Sequence, residues 1–157
     1  MSTDERFLLM RNFDMFSCIT DEEYEELDLI HNFLETKKGD YIYFDSHCLD
    51  KLFFLKGGYI KIGYIDDNGN EIIKEIINEG EVFGQFTLEK NNLNGEFAQA
   101  HKGDVSLCAF KIDDFERLLR KKPEMAVEYS KQVGKKLRKT EFRLVNMLNK
   151  DVRSRLL

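Results

Sequence analysis

From Asp50 to Gln85 the chain reads DKLFFLKGGYIKIGYIDDNGNEIIKEIINEGEVFGQ, in which short runs of apolar, β-branched and aromatic residues alternate with glycine turns. Such runs at close, regular spacing predict antiparallel strands. The same pattern continues on both sides. Strands are expected over HNFLETK (31–37), YIYF (41–44), LFFLK (52–56), YIKIGYI (59–65), EIIKEII (71–77), 81–83, 97–101 and 105–112. Gly57-Gly58 is expected to separate two of them, and Lys102-Gly103-Asp104 to join the last pair. Asn68-Gly69 supplies the positive φ angles of a tight hairpin between YIKIGYI and EIIKEII. Seven or eight short strands at this spacing predict a mainly β fold, a double-sheet jelly roll (double-stranded β-helix) flanked by helices.

Helical signals bracket the strands. Ser2-x-x-Glu5 and Thr20-x-x-Glu23 read as capping boxes, in which hydroxyl and carboxylate satisfy the free amides of a first turn. They predict short helices over 4–15 and 21–30. Asp113-x-x-Glu116 restarts helix over DFERLLRK, and Pro123 suits the first position of the next helix, where a missing amide costs nothing. From there an almost glycine-free basic tract runs to Leu157. Val133, Leu137, Thr140, Leu144 and Met147 step along it by 4, 3, 4 and 3 residues, the a/d seam of a coiled coil. Packing on its own roll is the plainer use for such a helix, and Tyr129, Phe142, Val145 and Leu148 form a second stripe suited to that. Two stripes favour a helix that serves both the roll and a partner helix, hence a homodimer. The expected organisation is a roll with N-terminal helices over 1–122 and a long dimerisation helix over 123–157.

Composition narrows the class. With 157 residues, 42% hydrophobic and 34% charged, the chain is large and apolar enough for one globular core. It holds no apolar run near the ~20 residues of a membrane span, and MSTDERF lacks a signal pattern. Cys18, Cys48 and Cys108 are odd in number and far apart, which points to a reducing, cytoplasmic setting. The net charge of −5 conceals an asymmetry: residues 1–114 carry 11 Lys/Arg against 24 Asp/Glu, and residues 115–157 carry 13 against 5. The acidic part repels phosphates. The basic tail suits either a place near DNA or, more plainly, a solvated helix face.

Lys38-Gly39-Asp40, Leu52-Phe53-Phe54-Leu55 with Gly58, Asn68-Gly69-Asn70-Glu71 and Gly80-Glu81-Val82-Phe83-Gly84-Gln85 come in an order and spacing that resemble the cyclic-nucleotide-binding (cNMP) fold. With Asp113-Asp114-Phe115 leading into the long helix and Asp151-Val152-Arg153-Ser154-Arg155-Leu156 resembling a hinge, the likeness is to the sensor domain of Crp/Fnr transcription regulators. The resemblance implies a parallel dimer through the long helix and a helix-turn-helix after the hinge. That helix-turn-helix is missing from these residues, so DNA contact is expected only through a domain not present here. The chain thus resembles a piece cut before that domain; a stand-alone cyclic-nucleotide-fold regulatory or interaction module without DNA-binding output is the alternative.

Cyclic-nucleotide binders of this fold resemble Gly-Glu-x-x-Leu followed by a short helix and Arg-(Ser/Thr)-Ala. The glutamate accepts from the ribose, backbone amides at a helix start face the phosphate, and the arginine neutralises it. The candidate effector cassette is therefore Gly84, Gln85, Phe86, Thr87 and Leu88, with Glu96, Phe97 and Ala98 opposite. Gln85 stands at the glutamate position, where an amide still accepts from a hydroxyl. Glu96 stands at the arginine position, and a carboxylate there repels a phosphate diester. Thr140 occupies the place of a threonine that, in the resemblance, reaches adenine across the dimer; it also sits in the seam. The cassette reads as degenerate, so no cofactor is expected with certainty and cyclic AMP or another small effector is not favoured.

Other chemistries find no support. Cys18 has no neighbouring thiol for an iron–sulfur cluster, and His31, His47 and His101 are isolated. Cys48 and Cys108 read as small core fillers. No GxSxG, HExxH, P-loop or cupin-like HxH set occurs, so the chain is expected not to be an enzyme.

Overall fold

A computed structural model describes residues 14–20, 22–23, 33–44, 50–84 and 95–156, the last six by backbone alone. Among the described residues, a 3-10 turn at Asp14–Phe16 is followed by six strands: β1 (Phe33–Thr36), β2 (Tyr41–Phe44), β3 (Lys51–Ile65), β4 (Glu71–Ile77), β5 (Val82–Gly84) and β6 (Glu96–Lys111). Two helices follow, α1 (Ile112–Lys121) and α2 (Pro123–Leu156). All strand pairs are antiparallel, in the order β1-β6-β3-β4, with β2 added on β6 and β5 on β3. The jelly roll with a long C-terminal helix expected from the pattern is the observed architecture.

The continuous run Leu52-Phe53-Phe54-Leu55 is buried on both faces of the sheet, and the two-residue period divides it. Leu52 and Phe54 join Phe16, Phe110, Phe115, Met125 and Tyr129 in a core between the sheet and the helices. Phe53 and Leu55 turn the other way, into the roll, with Ile60, Ile62, Phe83, Ala98 and Leu107. On the paired strand Cys108 and Phe110 face the helices while Leu107 and Ala109 face the roll. One sheet thereby holds the helices and closes the roll.

Two expected breaks are absent. Gly57-Gly58 does not separate strands, and Lys102-Gly103-Asp104 does not join two; each lies inside one long strand. β3 and β6 pair from Lys51↔Lys111 to Tyr64↔Glu96, with register shifts around Gly57 and Lys102 at φ 67. Bulges let a ladder bend without ending, which a rolled sheet requires. At φ +89 a Cβ on Gly58 would lie 2.5 Å from the Asp104 carbonyl oxygen, so glycine marks a close crossing rather than a turn.

The Thr20–Glu23 capping box forms in both directions. The Thr20 amide donates to Glu23 Oε2 at 2.9 Å and the Glu23 amide to Thr20 Oγ1 at 3.3 Å. The Ser2–Glu5 box and most of the helices expected over 4–15 and 21–30 lie outside the described residues. α1 begins at Ile112 with no side-chain cap, so Asp113 and Asp114 sit in its first turn, where the helix dipole favours negative charge.

The second apolar stripe on α2 meets the roll only at its start. Met125 and Tyr129 are buried, with Tyr129 edge-on to Phe115 at 5.1 Å. Phe142, Val145 and Leu148 are instead 67%, 54% and 56% exposed. The reason is electrostatic: this stretch of the helix faces carboxylates of β4 and of the turn after it, so its basic side chains turn to the roll.

Candidate functional site

Gly84 ends β5 opposite Leu52, at φ +100. A Cβ there would stand 2.7 Å from the Lys51 carbonyl oxygen and 2.8 Å from the Phe53 ring, so the start of the cassette is fixed by backbone packing. Gln85, Phe86, Thr87 and Leu88 lie outside the described residues. Phe97 and Ala98 on β6 are buried, Ala98 in the inner core and Phe97 edge-on to Tyr41 at 5.8 Å.

Glu96, at the position where the resemblance puts a phosphate-neutralising arginine, is 4% exposed and already partnered. Tyr43 donates its hydroxyl to Glu96 Oε1 at 2.8 Å, and the Lys74 ammonium lies 3.4 Å from Oε2. Burial, then the Glu96 charge, push the Tyr43 hydroxyl far above its ordinary value, so it remains a donor. Burial works against the Lys74 charge, but Glu96 and Tyr64 beside it outweigh that and hold the ammonium above the usual lysine range. Lys74 also lies over the Tyr64 ring, 5.8 Å from its centre. The cluster is a neutralised pair, its carboxylate buried with a fixed donor and its ammonium half-exposed but already paired.

On the helix, Val133, Leu137, Thr140, Leu144 and Met147 are all exposed. Thr140 Oγ1 donates to the Lys136 carbonyl one turn back at 2.9 Å. The adjacent flank, one residue round the helix, carries contacts that sequence reading missed. Lys136 Nζ donates to Glu75 at 2.8 Å, Arg143 stands 3.7 Å from the same carboxylate and donates to the Lys74 carbonyl at 2.8 Å, and Lys139 pairs with Glu81 at 3.2 Å. These pairs span a groove of about 340 Å³ lined by Glu75, Ile77, Glu81, Val82, Gln132 and Lys139. The signal was present as a basic stripe at helical spacing (Lys136, Lys139, Arg143). Part of the basic tail thus pairs with carboxylates of the roll while staying partly exposed.

Among the described residues, no cluster of His, Cys, Asp and Glu is arranged to hold a metal ion. Cys108 is fully buried, and burial pushes its thiol up to about 12. His31, His47 and Cys48 lie outside the described residues. No helix among them is long and apolar enough to cross a membrane.

Residues 33–122, the roll and α1, match the cyclic nucleotide-binding domain. The chain belongs to that family. A sensor domain of the transcriptional regulator DNR from Pseudomonas aeruginosa superposes with a TM-score of 0.68 at 21% identity, covering 87% of this chain and 90% of that one. A global nitrogen regulator from Nostoc sp. is 26% identical over 116 residues, 73% of this chain and 52% of its own length. The cAMP-activated global transcriptional regulator Vfr of Pseudomonas aeruginosa is 29% identical over 124 residues, 77% of this chain and 58% of its own. The chain thus spans about half the length of the curated relatives it matches. The Crp/Fnr resemblance read from the sequence holds, and these relatives bear the names of regulators rather than enzymes.

Proposed function

We propose that the chain is the effector-sensing and dimerisation part of a Crp/Fnr-like regulator whose cyclic-nucleotide cassette has lost its phosphate grip. The observation that carries this is Glu96, a buried carboxylate tied to Tyr43 and Lys74 where the resemblance expects an arginine. Replacing a charge-assisted partner by a like charge removes ~2–5 kcal/mol from an anion's binding. Cyclic nucleotides are therefore disfavoured as effectors, and the roll senses another ligand or sets the helix without one. The exposed seam of Val133, Leu137, Thr140, Leu144 and Met147 supports a homodimer through α2. The roll is not the DNA-contacting part, because residues 1–114 carry 11 Lys/Arg against 24 Asp/Glu and repel phosphates.

Two measurements test this. Calorimetric titration with cyclic AMP and cyclic GMP at low salt should give no heat at millimolar ligand, and micromolar binding would refute the lost grip. Sedimentation should find a dimer that Leu137→Glu with Leu144→Glu converts to a monomer. A monomeric parent would refute the seam.

A further inference from the structure

β4 carries a bulge. Ile62 pairs with Glu75 and Gly63 with Ile73, which leaves Lys74 without an opposite residue. A bulge breaks a strand's strict alternation and re-aims side chains. At this bulge two consecutive charged residues serve different sides of one boundary, as neighbours on a strand do, and Lys74 is released from cross-strand pairing. The Lys74 ammonium reaches Glu96, which Tyr43 holds at the roll's inner edge. The Lys74 carbonyl takes Arg143 at 2.8 Å, and the adjoining Glu75 carboxylate, 7% exposed, takes Lys136 at 2.8 Å. The path Tyr43–Glu96–Lys74/Glu75–Arg143/Lys136 is unbroken from the candidate cassette to the long helix.

We propose that the Lys74–Glu75 bulge couples the interior of the roll to the set of the long helix on its own roll, through the partners Lys74 and Glu75 hold. This rests on reading the roll as a sensor, and it names the residues through which that sensor acts. A change at Glu96 alters the side chain of Lys74, and the backbone of the same residue carries Arg143. Glu75 holds Lys136 one residue along, so a shift of the bulge loosens two of the helix's contacts together. The Lys139–Glu81 pair lies outside the bulge and restrains the helix without communicating with Glu96. Contiguity alone does not establish coupling; a response at one end to a change at the other does.

The test is amide hydrogen exchange on the full 157-residue chain, comparing Glu96→Gln, Lys74→Met, Glu75→Gln and Lys139→Met. Glu96→Gln and Lys74→Met should speed exchange about fivefold across helix residues 136–147, although neither side chain touches the helix. By reciprocity Glu75→Gln should speed exchange at 96–98, while Lys139→Met loosens the helix and leaves 96–98 as in the parent. Lys74 is half-exposed, so Lys74→Met keeps the test decisive should Glu96→Gln fail to fold. Unchanged helix protection in folded Lys74→Met, or acceleration in every segment alike, overturns the proposal. The coupling lies within one protomer, so it should persist in the Leu137→Glu, Leu144→Glu chain. A failure of the dimer, read by sedimentation, is thereby separate from a failure of the link.

Discussion

Gly84→Ala tests whether the entrance to the cassette is set by backbone packing. At φ +100 any other residue incurs the left-handed strain of ~1–2 kcal/mol. Gly80, at φ +87 with open space around it, incurs that strain alone. At Gly84 a Cβ also meets the Lys51 carbonyl oxygen at 2.7 Å and the Phe53 ring at 2.8 Å, and Phe53 is locked in a stack on Phe83 at 5.0 Å. Relieving such overpacking costs a further ~1–3 kcal/mol. With ~2–4 °C of melting temperature per kcal/mol for a chain of this size, Gly84→Ala should melt roughly 2–12 °C below Gly80→Ala. Gly103→Ala, with no positive φ and nothing within 4 Å, should melt no lower than the parent. Thermal unfolding followed by circular dichroism reads all three. If Gly84→Ala and Gly80→Ala melt together, the close approach at β5 does not exist and the cassette's start is not pinned.

Three further outcomes follow from the buried groups. Tyr43→Phe removes the closest donor to the buried Glu96 carboxylate and leaves it to Lys74 at 3.4 Å and to Tyr64, so it should lower the free energy of unfolding by ~1–3 kcal/mol in urea; an unchanged midpoint would show that the Tyr43–Glu96 bond contributes nothing. Cys108, with its thiol pushed up to about 12 by burial, should resist alkylation in the folded chain and react only on unfolding; rapid native labelling would contradict its place in the core. Burial likewise pushes the Tyr129 hydroxyl up to about 12. The native chain keeps these two protons where the unfolded chain, with ordinary values of 9.0 and 10.0, releases them. Their contribution is whole below about pH 9 and is lost as pH climbs toward about 12. Urea midpoints should fall between about pH 8 and about pH 10.5, and a rise would reverse the sign.

The strands were legible because the roll is built from residues that declare themselves locally. Asp66, Asn68, Gly69 and Asn70 make the hairpin they imply, with the Asp66 carboxylate accepting from the Asn68 and Asn70 amides at 3.0 and 2.7 Å. Gly57-Gly58 misled for the same reason: a glycine pair announces unusual backbone, and only the facing strand decides whether that is a turn or a bend in a continuing ladder. Glu75 was illegible for another reason. In EIIKEII it looks like the solvent side of an edge strand, yet its partner Lys136 lies 61 residues away. Phe142, Val145 and Leu148 read as a roll-facing stripe because apolar spacing says which residues share a face and not what that face meets. At the candidate site, Gly84 and Glu96 were found by likeness to a known cassette, whereas the donors that neutralise Glu96 came into view only with the fold.

The pairing of β3 with β6 also dictates when this domain can come into being. Lys51 needs Lys111 and Tyr64 needs Glu96, so the first long strand has no mate on that side until some thirty to sixty more residues exist. Only the hairpin with β4, closing at Ile65↔Glu71, is available at once. At ~5–20 residues per second, a growing chain carries an unmated, strongly apolar LFFL edge for several seconds as it leaves the ribosome. Contacts this distant in sequence also slow closure once synthesis is complete. The chain is therefore most exposed to aggregation and to chaperone capture in the interval before residue 111 emerges, and the long helix is the last part to find its place.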